Sequence, residues 1–191
     1  MPDSTRTPDA KASGGAKSSL DAKSIVDALV KARGGAVAGA ALGGLALIGG
    51  LAYRSLRGGK ADATPEAGEA AAFQDVPEDE ARLMLRAMVA ATVADGLVDA
   101  AERRRLDEAV AAAGIDRDGR AWLERELSNP AEIDEIADAV DDSDSAARIY
   151  AAAALAIDLD TMQERQFLKM LAEALDVPSE AAARVERELS A

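Results

Sequence analysis

Residues 94–106 read ADGLVDAAERRRL, and 62 positions later residues 156–168 read AIDLDTMQERQFL. The offset pairs Ala94 with Ala156, Glu102 with Glu164, Arg103 with Arg165 and Leu106 with Leu168. It also lays Arg86 on Arg148 and Glu124, Arg125, Glu126 and Leu127 on Glu186, Arg187, Glu188 and Leu189, without a gap. Self-similarity at a fixed offset marks a duplicated supersecondary unit. Asp99 meets Thr161, and each stands three residues before a Glu, the spacing of a capping box at a helix start. Downstream of these starts the apolar residues recur on a helical period, with no strand-like alternation.

The repeats, 79–127 and 141–189, each divide into three expected helices: 79–94, 100–113 and 117–128, then 143–157, 162–175 and 179–190. Asn129 and Pro130 read as the cap and first turn of a short seventh helix over 131–140. The fold class that follows is all-α: a seven-helix, pseudo-twofold bundle over residues 75–191, in which neither half buries its apolar stripes alone. Trp122 and the Leu, Ile and Met stripes read as core by their helical spacing.

Upstream of the bundle the composition changes. Residues 1–18 are Pro, Asp, Ser, Thr, Lys and Gly with almost nothing to bury, and read as disordered. Residues 19–33 place Leu20, Ile25, Val26, Leu29 and Val30 on one stripe of an amphipathic helix. Residues 34–53, GGAVAGAALGGLALIGGLAY, carry no charge over twenty positions, the length needed to cross a bilayer core. Gly35, Gly39 and Gly43 fall four apart, a small-xxx-small pattern suited to homo-oligomer contact in lipid, and Tyr53, Arg54 and Arg57 suit the headgroup region. A membrane-like helix is therefore expected here, the alternative being a Gly/Ala linker. Residues 54–74 read as a flexible tether.

The chain of 191 residues has 22 Lys or Arg against 35 Asp or Glu, a net charge of -13, which argues against a nucleic-acid partner. Residues 1–60 are net +5 and residues 61–191 net -18, a division that suits a basic part near anionic lipid and an acidic part in water. There is no Cys and no His, which removes disulfides, thiolate zinc sites, Cys nucleophiles and imidazole bases. No Ser lies in a nucleophile elbow and no Gly-rich loop follows a strand, so catalysis is not expected.

Chemistry, if present, would sit at the two loops of the repeat. On the twelve-residue calcium-loop template Asp95, Gly96, Asp99 and Glu102 fill the second half, while the first half would be Ala91 and Val93, so an ordinary EF-hand is excluded. The equivalent loop brings Asp158, Asp160 and Glu164 to the same helix junction. Joined across a pseudo-twofold axis, Asp95, Asp99, Glu102, Asp158, Asp160 and Glu164 would surround a divalent cation, Ca²⁺ or Mg²⁺. The alternative needs no metal: Asp99 and Thr161 cap helices, Glu102 and Glu164 complete the boxes, and Gly96 supplies a turn. The run Asp134, Glu135, Asp138, Asp141, Asp142 and Asp144 reads as a solvated face, or as a dock for a basic protein partner.

On Ala94-Asp95-Gly96 with Asp99 and Glu102, and Ala156-Ile157-Asp158 with Asp160 and Glu164, the chain resembles the TerB-like tellurite-resistance superfamily, most closely its YebE-type branch of bacterial inner-membrane proteins. The resemblance spans Met84 to Glu188, and more loosely the N-terminal segments. It implies a pseudo-symmetric all-α fold, no enzyme activity, an acidic metal-associated site, and a role in envelope stress or tellurite tolerance. It also implies attachment to the bacterial inner membrane with the helical domain on the cytoplasmic side. Two functional expectations follow: a membrane-tethered scaffold or sensor with a cation site, or a soluble acidic interaction module without one.

Overall fold

The computed structural model describes residues 21–33, 44–57, 76–94, 96, 100–114, 116–159 and 161–189. Among them are nine helices and no strand: α1 (Ala22–Arg33), α2 (Gly44–Arg57), α3 (Glu78–Thr92), α4 (Ala100–Ala112), α5 (Arg117–Ser128), α6 (Ile133–Ala137), α7 (Ser143–Ala156), α8 (Met162–Ala174) and α9 (Ser179–Leu189). The segments read as disordered N-terminus, small-residue stripe and most of the tether lie outside the described residues.

The centre is α7, whose buried positions run almost all round it: Ala146, Ala147, Ile149, Tyr150, Ala151 to Ala154 and Leu155. A helix apolar on every side must be enclosed by others. Its most extensive partner is α3, which contributes Ala81, Met84, Leu85, Ala87, Met88 and Ala91. Alanine on both sides of this contact permits close approach of the two axes, since interaxial distance follows side-chain size.

Two expectations are corrected. The first concerns the uncharged segment 34–53, of which residues 44–53 are described. They belong to α2, whose 14 residues span about 21 Å, short of the about 30 Å bilayer core. No helix among the described residues is long and apolar enough to cross a membrane. The apolar stripe of α2 is instead occupied by protein: Leu45, Ile48 and Leu51 are buried where α2 packs on α7, α9 and α1. Arg54, assigned above to a headgroup region, forms an ion pair with Glu188 on α9, Nη2 to Oε2 at 2.7 Å.

The amphipathic α1 is likewise part of the core, with Ile25 and Val26 fully buried against α3 and α4. Polar contacts fasten both helices: Glu78 Oε1 accepts from the Ala22 N–H at 2.6 Å, and Asp27 Oδ1 accepts from the Leu45 N–H at 2.9 Å. Carboxylates thus meet the exposed N–H groups at the starts of α1 and α2.

The second concerns symmetry, which the helices keep only in part. α4 and α8 keep the 62-residue offset at both ends, Ala100 to Met162 and Ala112 to Ala174. Their surroundings differ, however: α4 packs on α1, whereas α8 packs on α6, α7 and α3. The seventh-helix prediction also shifts. Asn129 is the C-cap of α5, donating its N–H to Arg125 O, and the short helix begins at Ile133 after Glu132.

Candidate functional site

Of the six carboxylates expected at the paired loops, Asp95, Asp99, Asp160 and the side chain of Glu102 lie outside the described residues. Asp158 is exposed, and Glu164 is buried at 5% exposure. Glu164 Oε2 accepts from the Thr161 N–H at 3.0 Å and the Thr161 hydroxyl at 2.9 Å, while the Glu164 N–H donates to Thr161 Oγ1 at 3.1 Å. This is a complete capping box, so one carboxylate oxygen of Glu164 already carries two donors. Arg165 donates twice to Leu159 O, at 3.0 and 2.8 Å, across a loop in which Leu159 has a positive φ of 57°. Among the described residues no group of three or more acidic side chains is disposed to hold a metal ion.

A different candidate lies on α8 beside its buried stripe. Leu168, Leu171 and Leu175 form its buried stripe. Phe167, Met170 and Ala174 lie three and four residues apart and form a second apolar stripe beside it, wider than the core requires. Met170 is 47% exposed and Phe167 half-buried, and with Ile133 and Val93 they line an open cleft of about 600 Å³ between α8, the C-terminal end of α3 and the 130–134 segment. Pro130 and Ala131 also line the cleft, and Ala131 is buried.

The rim is acidic. Glu132, Asp134 and Glu173 border the cleft, all three exposed, and among the described residues that line it there is no Lys or Arg. A second cleft of about 280 Å³ shares Ala174 with the first and carries Asp141, Asp142 and Asp176. Asp142 caps α7, accepting from the N–H groups of Asp144 and Ser145 and from the Ser145 hydroxyl. The backbone and hydroxyl hydrogen bonds from Ser145 come first in holding its carboxyl below the ordinary value. It is ionised at neutral pH.

Ion pairs hold the walls in place. Arg86 of α3 bridges Glu126 of α5 at 3.2 Å and Glu135 of α6 at 3.0 Å. Glu135, a member of the acidic run, is therefore paired with Arg86 at the surface, while Asp134 lines the cleft. The expectation that all Met stripes are core holds for Met84 and Met88, at 0% and 2% exposure, and fails for Met162 and Met170, at 80% and 47%. Trp122 is partly buried against the core rather than within it. The double stripe of α8 beside an acidic run was the available signal.

An acidic all-helical bundle with an open apolar cleft and no metal-ligating cluster among its described residues is the class these features define. Residues 9–189 match a family model described as "Protein of unknown function (DUF533)", and the chain belongs to that family. No curated protein and no solved structure matches it.

Proposed function

We propose that this chain is a non-enzymatic interaction module, a scaffold that holds a protein partner on the face formed by α3, α6 and α8. The observation that carries this reading is Met170, nearly half exposed beside Phe167 over a cleft of about 600 Å³. Methionine is flexible and polarizable, and exposed methionines with aromatic neighbours are a recurrent feature of adaptable binding surfaces. The resemblance to the YebE-type branch of the TerB-like superfamily supports a role in envelope stress at the bacterial inner membrane. Membrane attachment on this reading does not run through α2, whose apolar side is taken by α7 and α9.

The test is site-specific photocrosslinking in the native cell. A photoreactive residue at Met170 or Ile133 is expected to give one discrete adduct, and the same residue at exposed Arg104 none. The adducted protein must then bind the purified chain. Equal adducts from all three positions would remove the assignment.

A further inference from the structure

The cleft's rim specifies what it receives, and this step rests on the interaction-module reading above. We infer that the α3–α6–α8 cleft docks one face of a cationic amphipathic helix of a partner protein, with an apolar side chain over Phe167 and Met170 and Lys or Arg toward Glu132, Asp134 and Glu173.

Charge complementarity selects this occupant. Among the described residues every ionisable group lining the cleft is a carboxylate, and the adjoining cleft continues the same sign through Asp141, Asp142 and Asp176. Among the described residues Glu173 is paired with Lys169, Nζ to Oε1 at 3.9 Å with both side chains 69% exposed, and in the adjoining cleft Asp142 also feels the charge of Arg148. An exposed pair at that distance is weak and easily exchanged for another cation. A second copy would bring a further net charge of -18 over residues 61–191, so contact of two acidic bundles on this face is opposed. A nucleic acid or an anionic lipid surface is opposed for the same reason.

Shape agrees with charge. An amphipathic helix lays apolar residues at i, i+3, i+4 and i+7 into a groove, and the floor offers Ile133, Phe167, Met170 and Ala174 with acidic residues on its borders. Acidic rims around an apolar strip attract the basic flanks of such a helix, speed its encounter and set its orientation. Of the acidic run, Asp134 lines this cleft and Asp141 and Asp142 line the adjoining one.

The experiment uses the full chain labelled with [¹³C]methyl methionine, whose five methionines include buried Met84 and Met88, exposed Met162 outside the cleft, and Met170 within it. It is titrated with two synthetic helical peptides that share one apolar face, one with a Lys polar face and the other with Glu. The Lys peptide is expected to shift the Met170 methyl and leave Met162 in place. Its affinity should fall by about tenfold or more in the triple variant Glu132→Gln, Asp134→Asn, Glu173→Gln, with helicity unchanged by circular dichroism. Equal shifts of Met170 by both peptides would overturn the cationic occupant and leave the interaction surface standing. No shift of Met170 by either peptide would sink both readings. Undiminished binding of the Lys peptide to the triple variant, or equal shifts at Met162, would mean diffuse attraction to an acidic protein and overturn the inference. A Met170 shift produced by phosphatidylglycerol vesicles alone would reassign the face to lipid and overturn it too.

Discussion

Asp142 and Tyr150 sit at opposite ends of the range in which single residues of this protein respond to pH. Asp142 caps α7, and hydrogen bonds from Ser145 hold its carboxyl below the ordinary 3.8. A lowered pKa in the folded state stabilises the fold above the unfolded value, and this contribution disappears as pH falls through the lowered one. Asp142→Ala should therefore cost about 1 kcal/mol in urea unfolding at neutral pH, whereas Asp142→Asn keeps the cap and flattens the slope below about pH 4. Tyr150 is buried at 1% exposure, and its hydroxyl donates to Glu186 Oε1 at 2.7 Å. Burial first, then the hydrogen bond and charge of Glu186, push the phenol far above its ordinary 10. That contribution is complete below about pH 10 and is lost above it. Tyr150→Phe should cost about 2 kcal/mol at pH 7, as expected for a hydrogen bond to a charged acceptor, and should weaken the alkaline decline. An unchanged decline in the Phe variant would assign it to other groups. Conformation repeats at this scale as well: Gly114 and Asp176 stand 62 apart, both have positive φ, at 61° and 52°, and follow the ends of α4 and α8. The second closes with Val177 N–H on Ala172 O at 2.9 Å, a Schellman-type ending.

Helices start and stop where local chemistry instructs them, which is why the elements of the duplicated region were legible. The Thr161 box was readable from a Thr three residues before a Glu. Thr161→Ala should lower stability by about 1 kcal/mol, equally in metal-stripped protein and in millimolar Ca²⁺ or Mg²⁺. A loss that either ion reverses would return Glu164 to a ligand role, and thermal melts with and without ion decide it. The short α6 was misplaced by two residues because Asn129 suits either end of a helix, and here it ends α5. On α8 a three- and four-residue spacing fits both Leu168, Leu171 and Leu175 and the adjacent Phe167, Met170 and Ala174, so helical spacing alone assigns Met170 to the core with the leucines. Periodicity identifies both rows as apolar and says nothing about which row meets a neighbour.

Across the whole molecule, the N-terminal helices complete the bundle instead of leading to it. Ile48 is fully buried where α2 meets the central α7, so Ile48→Ala should destabilise the full chain by about 2 to 5 kcal/mol. A helix outside the core would leave the melting temperature unmoved. Removal of residues 1–60 would expose the faces of α3, α7 and α9 that α1 and α2 cover, and residues 61–191 should lose cooperative unfolding in calorimetry.

The sequence by itself determined the all-α class, the helix limits within a few residues, the caps and the acidic surplus, because these follow from dihedral preference, local hydrogen bonding and composition. Tertiary structure alone decided that Leu45, Ile48 and Leu51 meet α7 and α9 rather than lipid, and that Met170 is left beside an acidic cleft. The physical reason is that hydrophobic free energy is nondirectional: an apolar stripe states that it will leave water, while its partner is chosen by the packing of the rest of the chain.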